Sequence, residues 1–198
     1  MIENQARFNK AIALFDAANS EDPNKDQGQP KELLYAQRMT EMINRFAPDA
    51  SEAAQLAVRA QHIKRWTVPR ANYPMTKEGY HAWRTGLYKF HADTAGELMH
   101  EAGYDEAMIE RVKKAVGKRG IKTNAETQLL EDIADLVFIE HYMLDFAGSK
   151  SDYDEAKWLG IIGKTWDKMS KSARDFALSG KIRLPQALVP LITRAITQ

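Results

Sequence analysis

Five histidines, His62, His81, His91, His100 and His141, are the readiest source of neutral nitrogen ligands and proton acceptors in this chain of 198 residues. No cysteine accompanies them. That excludes a disulfide framework, a thiolate nucleophile and any Cys-based zinc or iron–sulfur site. Chemistry must come from imidazole, carboxylate, guanidinium, ammonium and hydroxyl groups. His62, Arg65 and Trp66 stand at i, i+3 and i+4, so on a helix they share one face. They read either as a stacked surface cluster or as a helix end offering imidazole, guanidinium and indole to an anionic or planar ligand. Further on, Tyr80, Trp83, Leu87, Thr94, Leu98 and Ala102 form a helical stripe into which Arg84 and His91 also fall. Two polar residues on one buried stripe need a polar pocket in which to meet. His81 lies beside the stripe and His100 well off it, and both are expected in solvent.

The carboxylates cluster later, at Glu131, Asp132, Asp135, Glu140 and Asp145, among the apolar residues Leu129, Leu130, Ile133, Leu136, Val137, Met143 and Leu144. Asp132 lies on one margin of that stripe and Glu140 near its centre, so Glu140 should be buried and must find a cation or donor, such as Arg65, Arg84 or a histidine. His141 stands nine positions after Asp132, about 180° around an unbroken helix. The two cannot hold one ion unless the helix breaks, and His141 is expected to pair locally with Asp145 at i+4. His62, His91 and Asp132 on three helices could together bind Mn, Fe, Zn or Mg, as bundle cores often do. Arg65, Trp66, Arg84 and Lys89 would then contact an anionic substrate, with Glu131 and Glu140 supporting the ligands. No local motif specifies such a site: there is no His-Glu-x-x-His, phosphate loop or Gly-x-Ser-x-Gly.

The elements that must position these residues are helical throughout. A first helix is expected over Ile2 to Asn19, closed by the turn-rich run Ser20 to Asn24, and a second from Pro30 to before Pro48. The third, Ser51 to Trp66, is small and apolar on nearly every side and should be the most enclosed. The fourth is capped by Thr76 and closed at Gly103, and the fifth runs from Asp105 to near Gly117. A sixth spans about Asn124 to Phe146, and two or three more fill Asp152 to Gln198. The expectation is an all-α, single-domain bundle of about eight helices over residues 1–198, with no internal repeat.

Lys plus Arg number 28 and Asp plus Glu 27, a balance that makes nucleic acid an unpromising partner. No apolar run approaches the ~18 residues of a membrane span, and the N-terminus shows no signal-peptide pattern. A cytoplasmic protein with no membrane partner is expected; the oligomeric state is not legible.

Several segments together resemble the domain-of-unknown-function family DUF 4202 of bacteria and fungi. They are Phe15-Asp16-Ala17-Ala18-Asn19 with Asp22-Pro23-Asn24, Glu32-Leu33-Leu34-Tyr35-Ala36-Gln37-Arg38-Met39, and Ala60-Gln61-His62-Ile63-Lys64-Arg65-Trp66. Tyr73-Pro74-Met75, Trp83-Arg84, Lys89-Phe90-His91, Leu130-Glu131-Asp132 and Glu140-His141-Tyr142 complete the set. This resemblance implies kinship and no particular activity. More distantly, the chain is similar to HD-type metal phosphohydrolases, which carry a His-Asp doublet on a central helix and a later Asp in an apolar helix. His62-Ile63 falls where the doublet would, and Asp132 where the last Asp would, with Asp135 as the rival. Ile63 replaces the metal-binding Asp, and Tyr35, Gln37 and Arg38 stand where a first His belongs. The resemblance implies a degenerate site in which His91 compensates, or a metal-free anion pocket.

Three functions follow as expectations. The first is a metal-dependent hydrolase of a phosphate-containing small molecule. The second is a non-catalytic ligand-binding or scaffold protein on the same fold. The third is RNA binding through Arg65, Trp66, Arg70 and the Lys118-Arg119 turn.

Overall fold

Asn4, Ser51, Thr76, Asp105, Asp154 and Ser170 each turn a side-chain oxygen onto a backbone N–H two or three residues on, and each begins a helix. In the computed structural model, which describes residues 2–149 and 153–196, these caps help to set out ten α-helices. The only strands among the described residues are the two-residue pair β1 (Lys25–Asp26) and β2 (Gln29–Pro30), an antiparallel hairpin with Gln27 and Gly28 at positive φ. The fold is all-α, and the hairpin is a turn device that the helical period could not reveal. Asp152 and Gln198, the limits of the last expected helical segment, lie outside the described residues.

Two compact units divide the chain, Met1–Leu130 and Glu131–Gln198. In the first, α1 (Gln5–Ser20), α2 (Lys31–Phe46), α4 (Lys77–Ala102) and α5 (Glu106–Val116) pack around the short α3 (Glu52–Ala60). Every residue of α3 except Gln55 is buried, because alanines let neighbouring backbones approach on all sides while Leu56 and Val58 fill the gaps. Full burial of each such aliphatic side chain contributes about 1.5–3 kcal/mol. Charged residues at these contacts are tied down. Arg59 makes a two-pronged pair with Asp16 at 2.7 and 2.6 Å and also reaches Thr40 Oγ1 at 3.1 Å, linking α1, α2 and α3. Asp22 accepts from the Glu32 backbone N–H at 3.0 Å, so its carboxylate fixes the start of α2.

The third helix is shorter than expected. It ends at Ala60, not Trp66, because the chain tightens into a succession of i→i+3 bonds, Ile63 N–H to Ala60 O and Arg65 N–H to His62 O. Lys64 takes a left-handed conformation with φ 50°, uncommon for a residue with a side chain, and the Asn19 carboxamide oxygen holds its N–H at 3.0 Å. Arg65–Thr67 then forms a 3₁₀ turn. Beyond it, Arg70 donates to the carbonyls of Tyr73 and Pro74 at 2.9 and 2.7 Å, clamping the loop that leads to α4. Gly79 meets the same loop: a Cβ there would lie 2.1 Å from the Pro74 carbonyl oxygen.

The second unit contains the end of α6 (Ala125–Val137), then α7 (Met143–Gly148), α8 (Glu155–Lys168), α9 (Lys171–Leu178) and α10 (Val189–Ile196). The expected single helix from Asn124 to Phe146 is interrupted by a π-helical turn, Phe138–Tyr142, before α7 resumes. Such a turn accommodates about one extra residue. The angle between Asp132 and His141 therefore falls from ~180° to roughly 80°, and the argument that placed them on opposite faces does not hold.

Candidate functional site

In the first unit the histidine turn, α2 and α4 bring six side chains together, Glu32, Tyr35, His62, Arg65, Trp83 and His91. His62, following α3, lies with its Nδ1 3.3 Å from Glu32 Oε2, at the start of α2. Its Nε2 lies 3.1 Å from an Arg65 guanidinium nitrogen. A guanidinium only donates, so Nε2 is the acceptor and the ring proton sits on Nδ1, facing Glu32. Tyr35, one turn along α2 from Glu32, stacks on the His62 ring with centroids 4.2 Å apart and planes 13° from parallel. The Arg65 guanidinium lies 5.0 Å from the centre of the Trp83 ring, whose indole N–H is fixed on the Val68 carbonyl at 2.9 Å. The helical face expected for His62, Arg65 and Trp66 is thus a turn. Arg65 does reach His62, but its aromatic partner is Trp83 rather than Trp66.

His91 enters from the middle of α4. The residue is 2% exposed, and its ring centroid lies 5.8 Å from that of His62. Nδ1 is 2.8 Å from the Ile63 carbonyl oxygen, and a carbonyl can only accept, so Nδ1 carries the proton. Nε2, buried with its lone pair, has no hydrogen-bond partner among the described residues.

The electrostatics follow from burial and charge. Burial raises the Glu32 carboxyl to about 7, against the pull of Arg65 and Lys31. Burial, and then the positive charges of Arg65, Lys118, Lys31 and Arg84, hold His62 well below the usual histidine range. His91 is lowered to about 3, by burial first and then by His62. Both imidazoles are neutral at physiological pH; four cations act on His62, and one of them, Arg65, also acts on His91.

The other expected contacts of this unit lie elsewhere. Arg84 is exposed and not on the buried stripe, which runs Leu87, His91, Ala95 and Met99. Its guanidinium is held by the Tyr88 and Tyr80 hydroxyls at 2.6 and 3.4 Å, and only its charge reaches His62. Lys89 is exposed and paired with Asp93, which Lys113 also meets at 3.4 Å. His81 and His100 are exposed, as their positions implied.

In the second unit the carboxylates meet cations and backbone donors. Lys168, at the end of α8, reaches Glu131 Oε1 at 2.9 Å and Asp135 Oδ1 at 3.3 Å. Burial works to lower its ammonium, but Asp135 and Glu131 outweigh that and raise it. Asp132 Oδ1 accepts from the Ser170 backbone N–H at 2.7 Å, at the N-cap of α9. The Glu140 side chain is 3% exposed and finds a donor as expected, the Arg183 backbone N–H at 2.9 Å. Its other oxygen lies 3.6 Å from His141 Nε2, so His141 pairs with Glu140, its neighbour in sequence, while Asp145 is exposed.

The metal expected of His62, His91 and Asp132 can be tested against these residues. His91 presents a lone pair of the kind a metal uses, with its other nitrogen fixed by a backbone carbonyl. His62 Nε2, however, faces the Arg65 guanidinium, whose charge opposes a cation at that nitrogen. Among the described residues, no group of three or more His, Asp or Glu is arranged to hold a metal ion. For an ion to use His62, Arg65 would have to leave.

Residues 9–192 match the family described as "Domain of unknown function (DUF4202)". The chain belongs to that family. No curated protein and no solved structure matches it. No described helix is long and apolar enough to cross a membrane.

Glu32 was overlooked as a site residue, and a signal for it existed. With Ala36, Met39 and Ile43 it forms an i, i+4, i+7, i+11 series on the buried face of α2. A carboxylate on such a stripe needs a polar partner. Tyr35, which stands with Gln37 and Arg38 where a first histidine belongs, is the platform on which His62 rests.

Proposed function

We propose that this DUF4202 protein binds a phosphate-containing small molecule at the His62–His91 cluster of its first unit, with Arg65 as the principal anion ligand. The observation that carries this reading is the Arg65 guanidinium, which points a donor at the lone pair of a neutral imidazole instead of at a carboxylate. A phosphate oxygen is a far stronger acceptor, and the exchange gains a charge-assisted bond at the cost of a neutral one. Lys31, Lys118 and Arg84 add positive potential around it. Tyr35, one of the residues standing where an HD-type first histidine belongs, stacks on His62 and supplies no metal ligand, which favours anion binding over a metal centre.

A hydrolytic reading has a specific observation behind it, the Glu32–His62 pair. Once Arg65 turns to the phosphate, His62 Nε2 is free to take a proton from an attacking water while its Nδ1 proton passes to Glu32. The water oxygen bonds to phosphorus, the ester P–O bond breaks, and the stored proton goes to the leaving oxygen. A carboxyl near 7 suits that exchange.

Calorimetric titration with inorganic phosphate and phosphate monoesters tests the binding. Saturable uptake by the wild type, weakened about 10- to 100-fold in Arg65→Met, is the expected result. No uptake, or equal uptake by both, would refute it. A phosphatase and nucleotidase screen run with chelator and then with Mn, Co, Zn or Mg tests turnover. Activity that needs metal and vanishes in His91→Gln would favour a site in which Arg65 gives way to an ion.

A further inference from the structure

Both imidazoles of the cluster offer Nε2 as an acceptor, and this constrains what the ligand must carry. We infer that the phosphate compound bound here also bears a hydroxyl or amine that donates a hydrogen bond to His91 Nε2, so that a hydroxylated phosphate ester, not a bare phosphate or an alkyl phosphate, is the ligand class. The inference rests on the phosphate-binding reading and narrows it.

His91 has one N–H, and the Ile63 carbonyl takes it at 2.8 Å. Nε2 is therefore a lone pair, and a neutral ring held this way has no second proton to give. A phosphate dianion carries only acceptor oxygens, and two lone pairs facing each other repel. The partner of Nε2 must be a donor. His62 does not supply one: its Nε2 is itself the acceptor for Arg65, and its N–H faces Glu32. His91 is 2% exposed and its Nε2 is buried, so a donor that meets Nε2 is withdrawn from water with it. Buried polar groups left unmatched are costly, which makes the preference for a donor steep. Arg65 bridges the two requirements. It contacts His62, whose ring lies 5.8 Å from that of His91, so an oxyanion on Arg65 and a hydroxyl a few bonds away fit one small molecule.

Glycerol 3-phosphate and ribose 5-phosphate, titrated against propyl phosphate and inorganic phosphate at roughly pH 8, where phosphate monoesters are dianions, test this on the unmodified protein. At least one hydroxylated ester should bind about tenfold or more tightly than propyl phosphate. The ¹⁵N resonance of His91 Nε2 should move in that complex as a lone pair acquires a hydrogen bond, while Nδ1 stays protonated. His91→Phe, where it folds, should level the series. If propyl phosphate or inorganic phosphate binds as well as the hydroxylated esters, or if Nε2 is unmoved in the complex, the inference is overturned while phosphate binding stands. If no phosphate compound binds, the reading beneath it falls and the inference with it.

Discussion

The histidine cluster of the first unit and the carboxylate cluster of the second treat buried polar groups in opposite ways. In the second, Glu131 and Asp135 meet Lys168, Asp132 meets the Ser170 N–H, and Glu140 meets the Arg183 N–H and His141. Charges there face opposite charges or backbone donors, which is how buried carboxylates lock helices together. In the first unit a guanidinium faces a neutral imidazole, a carboxyl is pushed to about 7, and a histidine nitrogen is buried as an open acceptor. Those are arrangements a fold does not choose for stability. Polarity that is answered within the fold reads as architecture, and polarity left partly unanswered reads as a site.

Three substitutions probe that contrast, beginning with the largest effect. A carboxyl raised from 4.5 to about 7 by folding binds its proton more tightly in the folded state. Its stabilising contribution is complete below 4.5 and is lost as pH rises through 7. Glu32→Gln has no such loss, so its stability relative to wild type should climb by up to about 3 kcal/mol between pH 4.5 and 7. Denaturant melts across that range check it. The two histidines work in the opposite sense: His91, lowered to about 3, withdraws stability as pH falls below the ordinary histidine range. Glu32 itself raises His91, so the difference between the two proteins reports Glu32 together with its coupling to that histidine.

Asp132→Ala should cost about 1–3 kcal/mol, because the Ser170 N–H at the start of α9 loses its acceptor. Its phosphate affinity should match the wild type. A variant that keeps its melting temperature but loses ligand would break the division drawn here and return Asp132 to the site. Lys89→Ala should do least. Its side chain is 79% exposed in an i,i+4 pair with Asp93, so thermal stability should change by no more than about 0.5 kcal/mol and binding not at all.

Much of the helical frame was legible because local rules and packing agree along it. The caps at Ser51, Thr76 and Asp105 and the left-handed Gly103 closing α4 follow from side-chain chemistry within one turn. His91 was legible for a similar reason, as a histidine on an apolar stripe. What escaped depends on departures from the ideal helix. The end of α3 is set by Asn19, distant in sequence, holding the Lys64 N–H, and no periodicity records that. The π-helical turn at Phe138–Tyr142 changes every angle reckoned beyond it, so His141 was assigned to Asp145 when Glu140 is its partner. Arg84 was misplaced because the buried stripe of α4 lies to one side of the aromatic residues used to define it.

Backbone amide mapping tests the central claim most directly. With ¹⁵N-labelled protein titrated with glycerol 3-phosphate or inorganic phosphate, shifts should concentrate at Lys31, Glu32, Tyr35 and the His62–Thr67 turn, and they should saturate together. Amides of Glu131–Asp135, Lys168 and Ser170 should move little. Saturable shifts centred on those second-unit residues, with the histidine turn unmoved, would contradict the assignment of the site to the first unit.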